Sequence, residues 1–173
     1  MSDAVAADTP GASEAPDDAA LHRRFGMQFN NEVWTLIDAG LSPESPREQR
    51  DRALSGAYAS LRHWMEVGNA ANQARGEHLV ARAALAVGLP ELSLHHARRC
   101  LEIVEAEPGQ MEEWDPPFAH EALARALAAT GDPQGGSEHR ARAVELTAAL
   151  ADAEDREILE VELAREPWYG LRG

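Results

Sequence analysis

Hydrophobic residues recur at spacings of three and four along most of the chain, and Gly, Pro and Asn separate the segments they mark. That is the 3.6-residue period of amphipathic helices. Leu21, Phe25, Phe29, Val33 and Ile37 return every fourth residue with Trp34 beside them, and predict a first helix over about 19–39, ended by Gly40. Leu54, Ala57, Tyr58, Leu61, Trp64 and Met65 mark a second helix running to about Val67. Its start signal is Ser45 at N-cap, Pro46 at N1 and Glu48 at N3, a reciprocal capping box. Gly68-Asn69 then turns the chain into a central antiparallel pair spanning Asn69 to Glu107. Its first member is dominated by Ala, Leu, Arg and Glu, good helix formers, with Gly76 as the sole glycine between Ala70 and Val87. Gly88 stands where a left-handed glycine ends a helix, and Pro90 opens the next, whose face is Leu94, Ala97, Leu101 and Val104. Pro108-Gly109 stops it.

Beyond the connector GQMEEW, Asp115 is the expected cap and Pro116 the start of a fifth helix striped by Ala119, Ala122, Leu123, Ala126 and Leu127. Gly131 ends it, and Asp132-Pro133 repeats the cap chemistry for a sixth helix to about residue 151. Gly135 and Gly136 weaken its first turn by about 1 kcal/mol each relative to Ala, which points to close helix contact there. A seventh helix over about 153–165 turns Ile158, Leu159 and Leu163 inward and stops at Pro167. Trp168 and Tyr169 are expected to fold back onto the bundle, since exposed they would form an association patch. The expected fold class is all-α: about seven helices as antiparallel hairpins in one domain over 19–173. The stretch 1–18 is rich in Ala, Asp, Pro and Glu without Lys, Arg or aromatics, and reads as a disordered acidic tail.

Composition narrows the function classes. A chain of 173 residues fits one domain with a real core. Hydrophobic residues make up 44% but aromatics only 5%, so the core is built mainly from Ala, Leu and Val and suits closely packed helices. A net charge of −14 and a pI near 4.8 argue against binding nucleic acid or an anionic membrane. No apolar run approaches the roughly 20 residues of a membrane span. The first twenty residues lack the basic and apolar regions of a signal peptide. Cys100 is the only cysteine, which removes any internal disulfide and points to the cytoplasm. It reads as a buried structural thiol rather than a nucleophile.

Two stretches repeat one another: EHLVARAALAVGLPELSLHHARRCL and HEALARALAATGDPQGGSEHRARAV. Gly88 matches Gly131, a period of about 43 residues, longer than the usual 34 or so. Small residues coincide at Ala81 and Ala124, Ser93 and Gly136, Cys100 and Ala143, whereas Ala84 stands where a Tyr is usual. Over about 70–151 the chain resembles a long variant of the tetratricopeptide (TPR) repeat, whose antiparallel helix pairs stack into a superhelix. It is also similar to a set of bacterial TPR-like proteins. That similarity rests on Tyr58-Ala59-Ser60-Leu61-Arg62-His63-Trp64, Asn72, Ala74-Arg75-Gly76-Glu77, His96-Ala97-Arg98-Arg99-Cys100-Leu101-Glu102 and Ala119-His120-Glu121-Ala122-Leu123-Ala124-Arg125. The resemblance implies a short superhelix and a cytosolic setting, and carries no reaction with it.

In such stacks the first helix of each repeat lines a concave groove. The repeat alignment points Arg75, His78 and Arg82 into it from one repeat, and Phe118, Glu121 and Arg125 from the next. Arg75, His78 and Arg82 share one helix face and offer a basic stripe for a carboxylate or phosphate. Pairing with Glu121 and other acids as structural salt bridges is the alternative. Levelling residues across successive hairpins further groups His63, Trp64, Asn72, Arg75, His120 and Glu121 in one layer: a titratable His, an Arg for an anion, a carboxylate and a Trp wall. His95 and His96 point about 100° apart and do not chelate one metal easily. The chain carries no zinc or facial-triad spacing, phosphate loop, GxSxG or dinucleotide fingerprint, so no cofactor is expected.

The leading reading is a cytoplasmic TPR-like interaction module that binds a peptide or anionic group in its groove, or self-associates as a homodimer. The alternative is a small-molecule enzyme or binding protein in which His63 and Glu121 move protons and Arg75 holds an anionic substrate. A third, metal binding through His63 and His120, ranks last.

Overall fold

The structure, a computed structural model, describes residues 17–171. The periodic segments are helices: α1 (Asp18–Asp38), α2 (Arg47–Val67), α3 (Ala70–Ala86), α4 (Pro90–Ala106), α5 (Asp115–Ala129), α6 (Pro133–Ala149) and α7 (Ala153–Ala164). A short 3-10 turn, Pro108–Gln110, links α4 to α5. There is no strand among the described residues. The expected acidic tail lies outside the described residues up to position 16. Its last two positions belong to the domain instead: Asp18 is helical, and Asp17 caps α1 by accepting from the Ala19 amide at 3.3 Å.

Local chemistry explains most of the turns. Gly88 has φ +83°, a backbone region where an L side chain is strained, and an added Cβ would stand 3.0 Å from Pro43. The Asp132 carboxylate accepts from the Gly135 amide at 2.9 Å, as its cap role requires. Gly136 lies where a Cβ would meet the Ala124 carbonyl at 3.0 Å, so this glycine does serve close contact between α5 and α6.

Two expected starts differ. The capping box at Ser45 and Glu48 is not formed: Pro46 is the N-cap of α2, and the Ser45 hydroxyl accepts from the Ser42 amide at 3.0 Å. Asp115 is the first residue of α5 rather than its cap, because its carboxylate is taken by Arg75 and the Glu112 amide. A reciprocal box exists instead at Asn69 and Asn72, where each side chain accepts from the other's amide at 3.1 and 3.2 Å.

α1–α2, α3–α4 and α5–α6 are antiparallel hairpins stacked side by side, with α1, α3 and α5 adjacent on one face and α7 packed on α5 and α6. The core has three compartments. Val33, Leu61, Leu79 and Val80 join α1, α2 and α3. Ala81, Leu94, Leu101 and Leu123 join α3, α4 and α5. Ala124, Ala143, Leu163 and Trp168 join α5, α6 and the C-terminal segment. Each fully buried Leu or Val contributes about 1.5–3 kcal/mol, and the many alanines let helices approach closely enough to bury them. Gly76 does the same for α3, since a Cβ there would fall 2.8 Å from Leu61.

The helix faces are turned slightly from the sequence expectation. Tyr58 and Met65 are 41% and 56% exposed, because α2 buries Ala53, Gly56 and Ser60 instead. Ile158 is exposed while Leu159 and Leu163 are buried. Trp168 folds back as expected, its indole donating to the Leu163 carbonyl at 3.0 Å, and Tyr169 stays partly exposed. Among the described residues no helix is long and apolar enough to cross a membrane.

Candidate functional site

The α1–α3–α5 face carries the polar stripe singled out from sequence, and that stripe divides in two. At one end Arg75 reaches from α3 to Asp115 at the start of α5. Its Nε and Nη2 donate to the two carboxylate oxygens at 2.8 and 2.9 Å, a bidentate pair. Asp115 also accepts from the Glu112 amide at 2.9 Å, and the Arg75 guanidinium lies 4.0 Å over the Trp114 ring.

Next along α3, one turn on, His78 stands between two aromatic rings. Its ring centroid is 5.8 Å from Trp34 of α1 and 5.6 Å from Phe118 of α5, and Phe118 is 6.0 Å from Trp114. These four rings form an arc around a cavity of about 290 Å³, which Asn30, Arg75 and Asp115 also line. Cys100 and Val104 of α4 contribute further apolar lining. Burial, followed by the charges of Asp115 and Glu77, pushes the Cys100 thiol well above its ordinary range, so it presents an inert apolar surface. His78 is buried, and its Nε2 has no hydrogen-bond partner; the nearest carboxylate oxygen, Oε2 of Glu121, is 3.8 Å away and is also unpaired.

At the other end the arginines are tied up in buried ion pairs. Arg82 donates to Glu121 of α5 and Glu162 of α7, and Arg125 donates to the same Glu121. Arg125 also donates to the carbonyls of Glu162 and Pro167, both at 2.8 Å, and stacks 3.9 Å from the Trp168 ring. Two guanidiniums and two carboxylates thus neutralise one another with little solvent contact. Burial alone would push the Glu121 carboxyl up, but Arg82, His78 and Arg125 hold it below the usual carboxylate range, so it is ionised. Arg82 and Arg125 also line a wider cleft of about 770 Å³ between the α1–α2 loop, the Gly88 turn and the C-terminal segment.

The structure brings His78, Arg82, Glu121 and Arg125 together, and places Arg75 at the rim of the aromatic cavity. It does not assemble the layer expected around His63. That ring packs on Phe25 and Phe29 and its Nδ1 lies 3.0 Å from Nδ1 of His22. Trp64 packs over Gly26, and Asn72 is spent in its capping box. His120 faces α6, with its Nδ1 2.8 Å from Nδ1 of His139. Equal height along a stack does not fix direction: adjacent residues on one helix point about 100° apart. His120 therefore faces away from the cluster that Glu121 anchors. His63 is thus paired with His22 and His120 with His139, rather than with Glu121 or with each other. Among the described residues no group of three or more His, Cys, Asp or Glu is placed to hold a metal.

Sequence reasoning missed the cavity's own walls, Trp34 and Trp114, and the partner Asp115. It also missed a chain of hydrogen bonds across three helices. Tyr58 Oη is 2.8 Å from Nε2 of His96, whose Nδ1 is 2.5 Å from Oε2 of Glu77. The available signal for Asp115 was its spacing from Arg75, equal to that between Arg82 and Ala122, one residue past Glu121. For Tyr58, Glu77 and His96 no local pattern exists. Comparison with known proteins returns no matching family model, no similar curated protein and no similar solved structure.

Proposed function

We propose that the protein is a cytoplasmic TPR-like binding module. It takes a short peptide along the α1–α3–α5 face and seats one aromatic or aliphatic side chain among Trp34, Phe118 and Trp114. The observation that carries this reading is the arc of four rings around a cavity of about 290 Å³, near the lower end of ligand-site volumes and suited to one large side chain. Burying such an anchor supplies about 1.5–3 kcal/mol, and the peptide backbone and rim contacts supply the rest. Arg75, about one third exposed at its side chain, is the guanidinium available to orient an acceptor on the ligand. All three guanidiniums are paired with carboxylates of the same chain, Arg75 with Asp115, but Arg82 and Arg125 are buried, so the exposed part of the anion-binding stripe contracts to Arg75.

A small planar molecule is the second reading. The flat His78 ring beside the cavity, between Trp34 and Phe118, favours it.

Panning a random heptapeptide library on the wild-type protein and on Trp34→Ala and Phe118→Ala variants tests the module. The expected peptides share one aromatic or Leu, Ile or Met anchor and bind each variant at least 10-fold more weakly, with the variants' circular dichroism unchanged. Absence of enrichment, or peptides that bind all three proteins equally, contradicts it.

A further inference from the structure

The chain of hydrogen bonds from Tyr58 to Glu77 is arranged as nucleophile, base and orienting acid. Nδ1 of His96 lies 2.5 Å from the Glu77 carboxylate and Nε2 lies 2.8 Å from Tyr58 Oη; in the neutral ring with its proton on Nδ1 toward Glu77, Nε2 is the lone pair that accepts from the phenol. The three residues come from α3, α4 and α2, so tertiary packing alone holds the order. Exposure runs the way such a relay needs: the tyrosine is 41% exposed, His96 is 7% exposed and the Glu77 side chain 14%. The sole ion-pair partner of Glu77 among the described residues is His96, so its charge is directed at that ring.

We propose that Tyr58 is an acyl-accepting nucleophile for activated esters, with His96 as its general base and Glu77 positioning that base. In the step, the phenolic oxygen forms a bond to the acyl carbon and the bond from that carbon to the leaving oxygen breaks. The phenolic proton passes to Nε2 of His96 and then to the departing oxygen, while the Glu77 carboxylate faces the transient imidazolium. Burial and the Glu77 charge push the Tyr58 phenol up, so the phenolate does not form unaided and the reaction depends on the base.

The molecule contains its own control. Tyr169 is the only other tyrosine and is 38% exposed. Burial pushes its phenol up as well, but no imidazole is hydrogen-bonded to it among the described residues. All 16 Lys and Arg positions are arginine, so no lysine amine competes for acyl groups.

The test treats the full chain with p-nitrophenyl acetate and maps acetylated peptides by mass spectrometry after an acid quench. General-base assistance is worth about 10²–10⁴-fold. Tyr58 is therefore expected to acetylate at least about 10-fold faster than Tyr169, with the ratio falling to about one in His96→Asn. In Glu77→Gln, which keeps an acceptor for Nδ1–H but loses the charge, the ratio falls several-fold while the melting temperature holds. Tyr58→Phe abolishes the p-nitrophenol burst. Equal acetylation of the two tyrosines, a ratio unmoved by Glu77→Gln, or a burst that survives in Tyr58→Phe overturns the proposal. Glu77→Gln decides the matter if His96→Asn fails to fold.

Discussion

Arg75 and Arg82 sit two turns apart on the same face of α3, and their surroundings have little in common. The Arg75 side chain is 35% exposed and pairs with one carboxylate at the edge of an aromatic cavity. Arg82 is 8% exposed and pairs with two carboxylates, those of Glu121, which it shares with Arg125, and of Glu162. The difference is α7 and the segment after it. Glu162 closes on Arg82, and Trp168 covers Arg125. Where that C-terminal element lies across the helix face, the arginines are held in buried ion pairs beside the wider cleft; where it does not reach, a partly exposed arginine borders a smaller aromatic cavity. A row of groove-facing arginines is thus not uniformly a binding surface: one end is occupied from within.

This contrast sets the order of expected effects. Glu121→Ala leaves two buried guanidiniums facing one carboxylate and is expected to cost about 3–5 kcal/mol, read as a loss of urea midpoint. Arg75→Ala leaves Asp115 buried but still bonded to the Glu112 amide, and is expected to cost about 1–3 kcal/mol. Equal costs for the two would erase the distinction between a buried and a partly exposed ion pair. Gly88→Ala, at the rim of the wider cleft, is expected to cost about 1–2 kcal/mol through its left-handed backbone, with the tight contact to Pro43 adding to it, and to leave the aromatic cavity unaltered.

The smallest effect is a pH slope that belongs to neither region. Burial, with His139 and Arg142, holds His120 down to about 4, and burial also lowers His139. The unfolded chain, with imidazoles near their ordinary value of about 6.5, then binds more protons across this window. Stability therefore falls as pH is lowered from about 6.5 toward 4. His120→Gln should flatten that slope in a midpoint-versus-pH series. Loss of the Glu121 contribution begins only below about 4.5, as pH falls toward its lowered folded value.

Much of the architecture is written locally. Gly88 with Pro90 and Asp132 with Pro133 specify their turns through backbone geometry and a single side-chain acceptor, and both can be read from a few neighbouring residues. Ser45 and Asp115 show the limit: each is a competent cap that a stronger or nearer partner takes, the Ser42 amide in one case and the Arg75 guanidinium in the other. The clustering of Arg82, Glu121 and Arg125 was legible because helical period and repeat alignment place them on facing stripes. The dispersal of His63, Asn72 and His120 was not, because a register argument gives height and leaves rotation open. Tyr58, Glu77 and His96 meet only through packing of three helices, and nothing in their own neighbourhoods announces it.

The four tryptophans report on the two regions separately: Trp34 and Trp114 line the aromatic cavity, Trp168 covers Arg125 of the buried ion pairs, and Trp64 packs on Gly26. The most direct measurement is a titration of the ¹⁵N-labelled protein with N-acetyl-phenylalaninamide, following indole N–H resonances assigned by single Trp→Phe variants. Saturable shifts at Trp34 and Trp114, with Trp64 and Trp168 unmoved, are the predicted result. Shifts of equal size at all four, or at Trp168 alone, would contradict a binding cavity formed by the uncovered end of the α1–α3–α5 face.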